Sequence, residues 1–132
     1  MSLTGKTPGG ETPGEEVLAR LPSEAIDEFV ERFRGEVILP SDDGYDEARS
    51  VWNGMIEKYP AIVARADGVA DVVASVNFAR VQDLPVSVRG GGHNVAGTAL
   101  VDGGLVVDLS AMNGVRVDPE LRTVRAEAGA TL

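Results

Sequence analysis

Three consecutive glycines, Gly90, Gly91 and Gly92, follow directly on an apolar run at residues 84–88 and precede the chain's one histidine, His93. Each glycine loses more backbone freedom on folding than any other residue, so a run of three is poor material for a helix or a strand. Such a run is tolerated where the backbone must pass very close to something. A loop of this kind can turn successive N–H groups toward one point and make a concave anion site, which suits a pyrophosphate. Arg89, at the mouth of the run, is placed to add a charge-assisted hydrogen bond.

The familiar glycine motifs do not account for it. A dinucleotide fingerprint requires a third glycine where Val95 stands after Gly90 and Gly92. The stretch from Gly92 through Gly97 has phosphate-loop spacing, but Thr98 occupies the place of the required lysine.

The residues around the run set out a framework. Ile26, Phe29, Val30 and Phe33 fall at helical spacing over residues 23–34, behind Ser23 as a first-turn cap. Residues 36–39 are a short apolar run ended by Pro40; Ser41 is expected to cap a helix carrying Tyr45, Ala48 and Trp52. Residues 61–64 read as a second strand and 84–88 as a third, buried one. Between them Val69, Val72, Val73, Val76 and Ala79 make a stripe of period about 3.6 residues. Strand and helix alternating in this way argue for parallel pairing through crossover helices. After Gly92 the pattern changes to short strands at 105–109, 114–117 and 122–126, with Asp118, Pro119 and Glu120 as a hairpin turn. The expected class is α+β: a small parallel βαβ sheet with flanking helices, then short antiparallel strands and a hairpin.

A chain of 132 residues is sized for one domain. Residues 1–20 are expected to be a mobile tail, because the Gly/Pro/Thr/Glu composition of the first 15 offers little to bury. The acids Glu15 and Glu16 are nonetheless of the kind favoured at a helix N-terminus. Residues 21–132 are then the domain. It is expected to be incomplete, since the sequence stops just after a strand, at Gly129, Ala130, Thr131 and Leu132. No cysteine and one histidine exclude disulfides, thiolate metal sites and multi-histidine metal sites within these residues. A net charge of -9 opposes binding to nucleic acid. With no leader-like or membrane-spanning stretch, the expected compartment is the cytoplasm, with no membrane partner.

Taken in order, the residues Pro60-Ala-Ile-Val, the helix after them, the run from Leu84 through Asn94, Val106-Val-Asp-Leu-Ser110 and the closing hairpin resemble one known family. It is the FAD-linked oxidases with a flavin-binding domain of the vanillyl-alcohol oxidase or PCMH type, and most closely their berberine-bridge-enzyme-like branch. The resemblance runs from about residue 36 to residue 132 and makes the chain the N-terminal subdomain of such a domain.

The resemblance implies that the backbone of Arg89, Gly90, Gly91, Gly92, His93 and Asn94 lies on the FAD pyrophosphate. It further implies that His93 bonds covalently to the 8α carbon of the isoalloxazine and that Gly97 packs against the cofactor. It also implies oxidation of an alcohol, sugar or similar small molecule, with the catalytic base and the substrate domain beyond Leu132, so that these residues alone are inactive. A half-domain stable on its own is expected to form a homodimer that covers its open apolar face. Two other readings stay open: a non-redox phosphate or nucleotide binding module, and a truncated structural or oligomerisation remnant. Asp108 and Ser110 are expected to organise a turn, and Trp52, Tyr45, Phe29 and Phe33 to pack rather than to bind.

Overall fold

A computed structural model describes residues 10–50, 57–90 and 100–131. Among the described residues, four helices and six strands follow one another in the order α1 (Pro13–Arg20), α2 (Ser23–Arg32), β1 (Glu36–Ile38), α3 (Tyr45–Ala48), β2 (Ile62–Arg65), α4 (Val69–Val81), β3 (Val86–Arg89), β4 (Leu105–Asp108), β5 (Val115–Asp118) and β6 (Thr123–Ala126). The class is α+β, as the pattern of elements predicts.

Part of the expected tail is helical. In α1 the Thr12 hydroxyl accepts from the Glu15 N–H at 3.3 Å while the Glu15 carboxylate accepts from the Thr12 N–H at 2.8 Å. This reciprocal capping box satisfies two otherwise orphaned donors. Pro13 follows it at the first helical position, where its missing N–H costs nothing. Val17 and Leu18 then pack on the core, which low average hydropathy in this stretch conceals. Ser23 does not cap α2; the capping position is Pro22, and no side chain bonds there. Ser41 likewise does not cap α3, which begins after Gly44. Trp52 lies outside the described residues.

β1 to β4 form one sheet in the order β1-β2-β4-β3, and β5 pairs with β6 in a separate antiparallel ribbon. β4 runs parallel to both β2 and β3. β1 is antiparallel to β2, not parallel as the strand and helix alternation suggests. β1 stops at Ile38 opposite Val63, so β2 starts at the same end of the sheet where β1 leaves it. Between β2 and β3, by contrast, the 13-residue α4 carries the chain back along the sheet, as a parallel crossover requires.

Ile62, Ala64, Leu105 and Val107 face α2 and α4, packing with Phe29, Phe33 and Ala79; Phe29 stacks on Phe78 with ring centroids 4.5 Å apart. On the opposite face Ile38, Val63 and Val106 pack against Tyr45, Ala48 and Leu100. β4, although late in the chain, inserts between β2 and β3. It is buried throughout, while β3 becomes an edge strand with Val86 and Val88 exposed. The expectation of a buried third strand therefore fails.

The apolar stripe of α4 faces the core only in part, with Val72 packed on it. Asp71, Ser75 and Ala79 are buried, whereas Val69, Val73 and Val76 are exposed. Asp71 explains this orientation. Its carboxylate accepts from the backbone N–H groups of Arg34 (2.9 Å), Gly35 (2.8 Å) and Asp67 (2.9 Å), tying the α2–β1 and β2–α4 turns together. Burial by itself would raise this carboxyl, but the three N–H bonds outweigh burial and hold it below the usual aspartate range.

Candidate functional site

In open sheets with parallel strands, ligands bind outside the carboxyl ends. Here β2, β4 and β3 end level with one another: Arg65 stands opposite Asp108, and Asp108 opposite Arg89. Side chains two residues apart share a face, so these three lie on the face of Val63 and Val106 that packs against α3. Asp108 is fully buried between the two arginine positions. Its Oδ2 accepts from Arg65 Nε at 3.2 Å, and its Oδ1 accepts from the Ser110 N–H at 2.9 Å. Arg65 Nη1 also reaches Glu36 Oε2 at 3.1 Å. Both carboxylate oxygens of Asp108 are thus engaged in fixing strand ends and the following turn, the role its sequence context predicts.

Arg89 is held differently. Its Nη1 donates to the Ala48 carbonyl at the end of α3, at 2.6 Å. That acceptor is itself anchored: the buried Tyr45 hydroxyl, pushed far above its usual range by burial, donates to the Pro60 carbonyl at 2.7 Å. Just past α3, Arg49 pairs with Asp46 at 2.9 Å and stacks over the Tyr59 ring. The Arg89 Nε, by contrast, is buried and has no hydrogen-bond partner among the described residues. An orphaned cationic donor away from water costs more than a neutral one, and an anionic oxygen is the partner that would relieve it.

The junction into the glycine run is also held by its backbone. The Arg89 carbonyl accepts from the Leu109 N–H at 2.8 Å. A Cβ at Gly90 would lie 2.7 Å from the Ala128 carbonyl oxygen, so this glycine is required by the chain's own backbone. Of the seven residues expected to hold the cofactor, Arg89 and Gly90 are described and adjacent at this edge. Gly91, Gly92, His93, Asn94 and Gly97 lie outside the described residues. The approach of residue 128, nearly 40 positions on, carried no local signal beyond the isolated glycine next to it.

Two clefts among the described residues lie away from this edge: an apolar groove between α2 and α4 lined by Phe29 and Phe78, and a polar one lined by Tyr45, Arg49 and Tyr59. Neither includes Arg89 or Gly90. Among the described residues no group of three or more histidine, cysteine, aspartate or glutamate side chains could hold a metal ion. No helix there is long and apolar enough to cross a membrane.

Residues 60–132, which span β2 through the hairpin and the whole glycine run, match the family described as FAD binding domain. The chain belongs to this FAD-binding family. It is 44% identical over 85 residues to (R)-6-hydroxynicotine oxidase of Paenarthrobacter nicotinovorans, covering 64% of this chain and 19% of that protein. It is 38% identical over 96 residues to the FAD-linked oxidoreductase hasG of Aspergillus fumigatus, covering 73% of this chain and 20% of that one. Among solved structures, 6-hydroxy-D-nicotine oxidase from Arthrobacter nicotinovorans superposes with a TM-score of 0.72 at 40% identity, over 74% of this chain and 22% of that chain. The fold is therefore that of the N-terminal part of a PCMH-type FAD-binding domain. The chain spans about a fifth of the length of the curated relatives it matches.

For a member of the FAD-binding family, the carboxyl edge has suitable chemistry. A buried guanidinium N–H with no partner among the described residues stands at the first glycine of a run whose composition suits a pyrophosphate.

Proposed function

We propose that this chain is the FAD-pyrophosphate-binding and flavin-anchoring part of an FAD-linked oxidoreductase. In this reading the backbone of Arg89, Gly90, Gly91, Gly92, His93 and Asn94 receives the pyrophosphate, and Gly97 lies against the cofactor. The observation that carries it is the orphaned Arg89 Nε at the mouth of the glycine run, in a chain of the FAD-binding family. Bound FAD supplies the electron-accepting chemistry, and the protein supplies orientation and electrostatics.

His93 is the proposed covalent anchor, through a ring nitrogen to the 8α carbon of the isoalloxazine. A neutral imidazole is a competent nucleophile near pH 7. Asp108 and Arg65 keep the strand ends level, and Ala48 orients Arg89. The substrate in this reading is an alcohol, sugar or similar small molecule. The likeness to a 6-hydroxynicotine oxidase falls on the cofactor-binding part and supports the flavin more than any one substrate. The proposed setting is the cytoplasm, with catalysis in the full-length protein and not in these residues alone. Taken alone, the 132 residues are proposed to pair as a homodimer through exposed apolar side chains of the edge strand β3, Val86 and Val88.

The test is an intact mass of the full-length protein after acid precipitation, with a visible spectrum of the pellet. A mass gain of one FAD and a yellow pellet are expected. An unmodified mass with a yellow supernatant would keep the flavin and remove the role of His93; no flavin in either fraction would leave a non-redox binding module.

A further inference from the structure

The turn that follows β6 is tied to the glycine run by a closed ring of backbone contacts. The Leu109 N–H donates to the Arg89 carbonyl at 2.8 Å, and the Met112 N–H donates back to the Leu109 carbonyl at 2.9 Å. The Gly129 N–H donates to the Met112 carbonyl at 2.9 Å. The neighbouring Ala128 carbonyl then closes the ring against Gly90. Two of its members admit no side chain: a Cβ at Gly90 would press on Ala128, and a Cβ at Gly129 would run into the Leu109 carbonyl. Gly129 is buried, although the β5–β6 ribbon leading to it is largely exposed. The turn is braced from outside as well. The Glu127 carboxylate accepts from the Gly114 N–H at 2.8 Å, and the Ala130 N–H donates to the Glu127 carbonyl at 3.0 Å.

We propose that residues 127–130 are a positioning element for the FAD site, with Ala128 and Gly129 setting the direction in which the chain leaves β3 into the glycine run. This rests on the FAD reading above and adds residues to which that reading gives no part. Arg89 and Gly90 are gripped on three sides, by the Ala48 carbonyl, the Leu109 N–H and the Ala128 carbonyl. Backbone donors that must converge on one anion lose affinity when their common starting point turns, so pre-setting that point removes an ordering cost at binding. Only the Ala128 contact comes from the far side of the hairpin. The ribbon thereby becomes part of the site's frame although no hairpin side chain is assigned to the cofactor.

The experiment uses full-length protein carrying His93→Ala, so that FAD binds reversibly, and compares Gly90→Ala, Gly129→Ala and the double variant by FAD titration and by visible circular dichroism of the bound flavin. Each single change is expected to weaken FAD about tenfold and to alter the flavin dichroism. Because both disturb one closed ring of contacts, the double variant should be about as weak as the weaker single and not a hundredfold worse. Should Gly129→Ala not fold, Glu127→Ala loosens the same turn from an exposed position and should weaken FAD about threefold, a modest loss of preorganisation. FAD affinity unchanged in the variants, or effects that multiply independently, would overturn the positioning role. A His93→Ala parent that takes up no FAD would instead bring down the flavin reading and this inference with it.

Discussion

The guanidinium of Arg89 reaches the backbone carbonyl of Ala48 at 2.6 Å, joining the last residue of β3 to the last residue of α3 across 41 positions of sequence. The bond commits one nitrogen of the group to structure and leaves Nε buried with no partner among the described residues. Arg89→Lys keeps the charge but cannot supply both donors from one planar group. It is expected to weaken FAD about tenfold in the full-length His93→Ala protein and to lower stability by about 2 kcal/mol, the scale of a hydrogen bond to a charged group. Flavin titration and urea unfolding of the same samples check the two effects. Affinity equal to that of the His93→Ala parent in the lysine variant would remove the Arg89 guanidinium from the site.

His93→Ala in the full-length protein is expected to release its flavin into the supernatant on acid precipitation, leaving a colourless pellet and an unmodified polypeptide mass. Flavin that stays with the polypeptide in this variant would place the covalent bond elsewhere.

Asp71 makes stability depend on pH in a definite direction. Its carboxyl is held below the ordinary 3.8 in the folded protein, so its contribution is fully present above that value and is lost as the pH falls through the folded pKa. Asp71→Asn is expected to be less stable near neutral pH by about 2 kcal/mol, since a neutral amide oxygen is a weaker acceptor for three N–H donors. It should also lose part of the acid dependence. Urea unfolding of both proteins between about pH 2.5 and 7 tests this; curves that stay parallel throughout would refute it.

The two sides of α4 and the sheet predict contrasting costs. Ile62→Ala removes a fully buried side chain and is expected to cost about 3 kcal/mol. Val73→Ala, on the exposed side of α4, should cost less than about 0.5 kcal/mol in the 132-residue chain. If the valine change costs as much as the isoleucine one, that face of α4 is covered in solution.

Local pattern made much of this protein legible from its residues. Short β-branched runs, a 3.6-residue period and turn residues located most of the strands, the helices over Ser23–Arg32 and Val69–Val81, and the hairpin. The glycine run with His93, in its ordered setting, pointed to a flavin domain, and the family match bears out that resemblance. Helix α1 was obscured because composition averages over a stretch whose helix rests on the capping box of Thr12 and Glu15. The stripe on α4 misled because Val69, Val72, Val73 and Val76 spread apolar surface around the helix, and a period alone cannot choose between two apolar faces.

What the residues determined by themselves is which segments are extended, which are helical and where backbone must pass unusually close to a neighbour, because these depend on properties within a few positions. Tertiary structure alone decided that β4 enters between β2 and β3, that β1 runs antiparallel, and that Arg89 turns to Ala48. It also decided that Gly90 owes its missing side chain to Ala128. Each of these is a choice of partner across tens of residues, settled by which strand buries the most surface and which donor finds an acceptor once the chain has closed on itself, and no local period encodes it.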